Sequence, residues 1–276
     1  MPQIFRYFTA KKVPLHKIKP ITTMKKFTLI IIAAVALAFV ACGSKQISTR
    51  LLCYNVHNCV GLDGVLSCER IAKIITDADA DAVAIQELDS MTTRHPGHDM
   101  LSELAEMTSM YPTFAPSIDY KGGKYGIGML TKEKPISHRR VPLPCRSEPR
   151  SLLIVELQDY YYCCTHLSLH EEDRVTSIGI INEELSKLDK PVLIAGDFNA
   201  RPNSEPMRLM GENFHVFKKT EGEGFTIRAD KPHAEIDYIC LYTGKGAKAE
   251  VTSHTVIHAP VESDHSPIVA DIIITE

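Results

Sequence analysis

Short apolar runs, each closed by an acid, an amide or an imidazole, recur along most of this 276-residue chain. The clearest is Pro191-Val192-Leu193-Ile194-Ala195, which leads into Gly196-Asp197-Phe198-Asn199. A strand points residues i and i+2 to one face. Asp197 and Asn199 are therefore expected to project together where a buried strand emerges. A carboxylate beside an amide can hold a water, a metal or a phosphoryl oxygen. A plain turn is the competing reading, since Gly, Asp and Asn all favour strand ends.

The rest of the chain repeats the pattern. Strands are expected over 51–56, 81–88, 125–130, 136–142, 151–157, 160–167, 191–199, 236–242, 251–257 and 267–274, and helices over 69–80, 98–107 and 174–188. Ile71, Ile74 and Ile75 mark the first helix, and Ile178, Ile181 and Leu185 the third, by their spacing. The four strands between 125 and 167 follow one another with short turns and read as one antiparallel meander. No repeat or linker interrupts them, and the length suits one sizeable domain, or at most two. Two mixed sheets packed face to face, each covered outside by helices, is the natural arrangement.

The first 41 residues differ from the rest. They carry seven basic residues and no acid, and Lys25-Lys26 precede a 14-residue apolar run from Phe27 to Val40. That matches the apolar segment of a signal peptide and falls short of the roughly 20 residues of a membrane-spanning helix. With Phe39-Val40-Ala41-Cys42 at its end, the segment resembles a bacterial lipoprotein signal, although Phe39 stands where Leu is usual. An ordinary secretory signal with an incidental Cys is the alternative. The resemblance implies a signal region at 1–41, with Met24 as an alternative start. It also implies a lipidated Cys42, a short tether over 42–49 and a domain over 50–276.

Without the signal, 24 of the 31 basic residues remain against 34 acids, a formal charge of −10. Such a chain repels polyanions at long range. Arg139-Arg140 reads as a solvated strand edge rather than part of a basic groove. Of the eight Cys, seven remain if Cys42 is lipidated, and none has the C-x-x-C spacing of a zinc site. Most read as small buried hydrophobes, and the adjacent Cys163 and Cys164 should alternate faces of a strand. A disulfide is compatible with an oxidising compartment, with no pairing given.

Polar residues at the apolar run ends are Asn55, Glu87, His166, Asp197, Asn199, Asp237, Asp264 and His265. Each has a dull explanation alone; their joint occurrence does not, because open active sites form where strands end. Tyr54-Asn55-Val56-His57, Ile85-Gln86-Glu87, Tyr125-Gly126-Ile127-Gly128, Thr165-His166-Leu167, Gly196-Asp197-Phe198-Asn199, Ile236-Asp237-Tyr238 and Ser263-Asp264-His265-Ser266-Pro267 together resemble the endonuclease/exonuclease/phosphatase superfamily. They occur in that superfamily's order and span nearly all of the mature chain.

The resemblance implies a four-layer α/β/β/α sandwich and metal-assisted attack of water on a phosphate ester. Electrostatic stabilisation should dominate such a reaction. Oxygen ligands suit Mg²⁺, with Mn²⁺ as a substitute. Glu87, Asn55 and Asp264 are the expected metal ligands. By analogy, Asp197 orients or deprotonates the water, and Asn199 contacts phosphate or metal. His265 binds phosphoryl oxygens as a cation, and His166 protonates the leaving oxygen. Asp264 and His265 are neighbours and point apart on an extended chain, so Asp237 is the better partner to orient His265. Thr165-His166-Leu167 resembles the deoxyribonuclease and sphingomyelinase branches more than the apurinic-site repair branch. His57 stands where repair nucleases carry Asp or Asn; it should share the face of Asn55 and contact metal or substrate, or support those that do. Tyr125 and His170 are weaker substrate-binding candidates. Arg150 either pairs with a site carboxylate or starts a strand.

Three functions follow. The first is an envelope-anchored, monomeric phosphodiesterase or phosphatase acting on a lipid head group, a sugar phosphate or another small ester. The second is an extracellular or periplasmic nuclease, with nucleic acid as substrate only. The third is an inactive binding lipoprotein, disfavoured because every expected acid, amide and imidazole is present.

Overall fold

The computed structural model describes residues 45–275, so the signal region 1–41, Met24 and the lipidation residue Cys42 lie outside them. Twelve strands form two six-stranded sheets. The first sheet holds β1 (Gln46–Asn55), β2 (Ala82–Ser90), β3 (Tyr111–Tyr120), β4 (Gly123–Thr131), β11 (Lys248–Val256) and β12 (Ile268–Thr275) in the order β11-β12-β1-β2-β4-β3. The second holds β5 (Ser137–Leu143), β6 (Arg150–Glu156), β7 (Tyr161–His166), β8 (Val192–Asp197), β9 (Phe214–Val216) and β10 (Asp237–Tyr242) in the order β5-β6-β7-β8-β10-β9.

Helices cover the outer faces. α1 (Cys68–Ala78) and α2 (Met100–Thr108) bury Ile71, Ile75, Leu101 and Leu104 against Leu52, Val83 and Ile85 of the first sheet. α3 (Glu171–Ser186) and α4 (Glu205–Asn213) bury Ile178, Ile181, Leu185 and Met210 against Ile154, Cys163 and Ile194 of the second. The third core lies between the sheets, where Cys53, Met129, Leu153, Cys164, Leu193, Ile239 and Ile272 interleave. The result is the four-layer α/β/β/α sandwich that the sequence led us to expect. Cys163 and Cys164 do fall in different cores, and all seven cysteines of the described residues are free thiols.

Three readings need correction. The meander is split: β4 pairs with β2 and β3 in the first sheet, while β5, β6 and β7 lie in the second. Alternating polarity says which face of a strand is buried, not which of two facing sheets it joins. β3 was not expected, because Pro112 and Pro116 interrupt its pattern; it tolerates them as an edge strand. The folded domain starts by Gln46, inside the span 42–49 expected as a tether, since Gln46 already pairs with Thr275 at the start of β1.

The central strands share a polarity. β1 is parallel to β2, and β7 is parallel to β8. β10 runs antiparallel to β8, and β12 antiparallel to β1. The last residues of β1, β2, β7 and β8 therefore gather at one end of the sandwich, with the first residue of β10 and the turn before β12. Gly196 permits the close approach of β7 and β8 there. A Cβ at Gly196 would fall 2.0 Å from the carbonyl oxygen of Thr165, its partner in register.

Candidate active site

Strand register builds the centre of the site. His166 of β7 lies opposite Asp197 of β8, and Asp197 lies opposite Asp237 of β10. Three ionisable side chains thus form a row across three neighbouring strands, each nearly inaccessible to solvent. His166 Nε2 stands 3.4 Å from Asp197 Oδ2. The turn before β12 adds His265, whose Nδ1 donates to Asp237 Oδ2 at 2.9 Å and whose Nε2 lies 3.7 Å from Asp197 Oδ2. Ser263 fixes that turn: its hydroxyl donates to the Asn55 carbonyl at 2.8 Å and accepts the His265 N–H at 3.2 Å. Ser263 is the positioning residue that the sequence reading passed over, although it sits two residues before His265.

The first sheet supplies the other wall. Asn55 Nδ2 donates to Glu87 Oε1 at 3.0 Å and to Asp197 Oδ2 at 3.1 Å, so one amide ties the two sheets together. Glu87 reaches it because β2 bulges. The register of β2 against β4 shifts between Ile85 and Leu88, and Glu87 takes a left-handed φ of 62°. A bulge re-aims a side chain in this way, and a non-glycine residue there carries strain.

Burial sets the charges. Desolvation, then the facing Asp237, push the Asp197 carboxyl up to about 7, against the pull of His265 and the Asn199 N–H. Burial alone would favour a neutral His265, but Asp237 and Asp197 outweigh it and push that imidazole up to about 10. His166 goes the other way: burial, helped by Arg150 and His265, holds it well below its ordinary value. At neutral pH these shifts leave the His166 imidazole neutral and the His265 imidazole charged.

The remaining candidates are placed as follows. β8 ends at Asp197, so Asn199 does not project alongside it. Asn199 has a φ of 49°, donates its N–H to Asp197 Oδ1 at 2.8 Å and turns its amide to the Leu167 carbonyl at 3.0 Å. His57 does not share the face of Asn55 either, because β1 stops and the chain enters a single 3₁₀ turn. Its Nδ1 lies 2.9 Å from the Val60 carbonyl of that turn. Tyr125 is half-buried on β4, and burial, then the charge of Glu87, raise its hydroxyl well above its usual range. His170 is exposed just before α3, apart from the buried row. Asp264 Oδ1 is buried without a hydrogen-bond partner. Arg150 starts β6 with its side chain buried; it pairs with Glu148 rather than with a site carboxylate and leaves Nε without a partner.

Two sets of residues are candidates to hold a cation, and the first is close-set. Ligand atoms of Asp197, Asp237 and His265 lie within 4.8 Å of one another. A protonated His265 already donating to Asp237 offers no lone pair, so this set fits an anion-binding acid–imidazole pair better. Glu87 and Asp264 offer oxygen donors, including the orphaned Oδ1, and these fit a hard cation. Asn55 turns its NH₂ to the two acids and its Oδ1 to the His57 N–H at 3.1 Å. In that orientation it bridges the carboxylates.

Residues 52–265 match the profile of the Endonuclease/Exonuclease/phosphatase family. The chain belongs to that family. Its members are phosphoester hydrolases. Solved structures of the endonuclease/exonuclease/phosphatase type share the fold. One from Beutenbergia cavernae is 22% identical, with 82% of this chain and 71% of that chain covered and a TM-score of 0.68. The human Nocturnin catalytic domain with bound sulfate anion is 19% identical, with 83% and 97% covered and a TM-score of 0.64. A mannosyl-6-phosphatase from Bacteroides thetaiotaomicron is 15% identical, with 81% and 99% covered and a TM-score of 0.66. No curated protein sequence matches the chain.

Proposed function

We propose that this protein is a monomeric, Mg²⁺-dependent hydrolase of small phosphate esters, anchored at the cell envelope by a lipid on Cys42. The observation that carries the hydrolase reading is the placement of Asp197. Its Oδ2 faces Asn55 Nδ2 at 3.1 Å, His166 Nε2 at 3.4 Å and His265 Nε2 at 3.7 Å. A carboxyl pushed up to about 7 suits a base for water at neutral pH. The imidazolium of His265, kept charged by Asp237, is placed to bind a phosphoryl oxygen. A neutral His166 is not a ready proton donor in the free protein; its Nε2–H can hydrogen-bond the leaving oxygen. Glu87, Asp264 and Asn55 would hold the cation, Asn55 by presenting its carbonyl in place of its NH₂. When bound, the cation neutralises charge building on the phosphoryl oxygens.

The formal charge of −10 outside the signal favours a small ester over nucleic acid. Because one neighbour in fold is a mannosyl-6-phosphatase, sugar phosphates belong in the screen. The test is hydrolysis of bis-p-nitrophenyl phosphate, sugar phosphates and DNA by the purified domain. EDTA is expected to abolish turnover, and Mg²⁺ or Mn²⁺ to restore it. Full activity in chelator would remove the cation from the mechanism.

A further inference from the structure

The two ends of β1 lie at opposite ends of the sandwich. Asn55 closes the strand inside the site, and Gln46 opens it at the far end, paired with Thr275. Nine strand steps separate them, about 30 Å at the usual rise. Asn55, Glu87, His166 and Asp197 sit at or near strand ends of the same polarity, so the cleft opens along β1, away from Gln46. Only four residue steps join Cys42 to Gln46, a reach of at most about 14 Å when fully extended.

We propose that the cleft takes a water-soluble phosphate ester and is barred by its own tether from head groups of the bilayer that anchors it. To face that bilayer, the site end would have to rest on it, with Gln46 about 30 Å above the surface. The tether spans less than half of that. Even with Gln46 raised by the tether's full reach, β1 can dip only roughly 30° past flat, well short of the 90° that would turn the cleft onto the surface. The substrate must then arrive from the aqueous side. Among the esters considered above, this selects sugar phosphates and other soluble esters over lipid head groups. It rests on the reading of Cys42 as the lipidated residue and of the cleft as a phosphoesterase.

The experiment uses the full chain purified from bacterial membranes and reconstituted in phosphatidylcholine/phosphatidylglycerol vesicles with Mg²⁺. Two probes are compared: bis-p-nitrophenyl phosphate in solution, and a p-nitrophenyl phosphodiester carried as the head group of a lipid in the same vesicles. The native tether is expected to cleave the lipid-borne ester at least tenfold more slowly than the same lipid dispersed in detergent, while still cleaving the soluble probe. Inserting 30 Gly/Ser residues between Ser44 and Lys45 adds a mean reach of about 30 Å and is expected to remove most of that difference. Equal cleavage of vesicle-borne and dispersed ester by the native chain would overturn the proposal, as would no gain from the insertion. Intact mass and probe turnover separate the premises. An unmodified Cys42 overturns the proposal through the anchor, and a lipidated chain inert on the soluble probe overturns it through the hydrolase reading.

Discussion

Charged residues are plentiful at both ends of the sandwich, but they are held differently. At the far end Arg50 pairs with Asp271 through two hydrogen bonds, Lys132 with Asp79 and Asp81, and Lys190 with Glu156, all with at least one-fifth of each side chain in water. Its left-handed residues, Asp79 and Ser109, are ordinary C-caps of helices. At the site end Asp197, Asp237, His166 and His265 are nearly solvent-free, and Asp197 and Asp237 lie directly opposite each other. Its left-handed residues include His57, Asn58, Cys59, Glu87 and Asn199, none of which caps a helix C-terminus. Like charges set opposite on neighbouring strands oppose folding, and so does strained backbone. The sandwich therefore concentrates its unfavourable terms where the chemistry is, and leaves the other end screened and relaxed.

Substitutions can break that contrast. Asp197→Asn should lower kcat on bis-p-nitrophenyl phosphate by about a thousandfold or more. Its melting temperature should hold or rise, since a buried, repelled carboxylate is gone; near-normal turnover would remove Asp197 from the mechanism. Leu153→Ala, in the core between the sheets, should cost about 2–5 kcal/mol in urea unfolding. Its kcat per folded molecule should stay within about twofold of normal, because the site's geometry is set by strand register.

A pH measurement sharpens the comparison away from the site. Burial, with Lys219 adding to it, pushes His254 down to about 3. Its folded value lies below its unfolded value of 6.5, so protonation favours the unfolded chain. Stability should fall as pH drops below 6.5 and level off near 3. In His254→Phe that acid branch should flatten by an amount on the order of 5 kcal/mol; identical profiles would show that His254 is not part of it. Smallest is Arg50→Ala, which removes a pair whose arginine side chain is 42% exposed. Less than about 1 kcal/mol and no change in kcat are expected.

The sequence made the layers and the cast of the site readable, because apolar runs and their polar ends are local signals. It also pointed to Asp237 as the partner of His265, and the 2.9 Å contact agrees. What escaped it depends on backbone conformation or on strand pairing. A period-two reading kept Asn199 on its strand and His57 beside Asn55, yet both strands had already ended and the chain had turned left-handed. The bulge that aims Glu87 leaves no mark in Ile85-Gln86-Glu87-Leu88, since it exists only against β4. The row of His166, Asp197 and Asp237 is likewise a product of register between segments far apart in the chain.

Gly196 gives that row its spacing. With only a hydrogen between β8 and the Thr165 carbonyl, the strands close up and bring imidazole and carboxylate within 3.4 Å one residue later. A methyl group there would wedge the ladder open at the step beside that pair. The gauge of the His166–Asp197 pair is thus held by the smallest residue the chain can place.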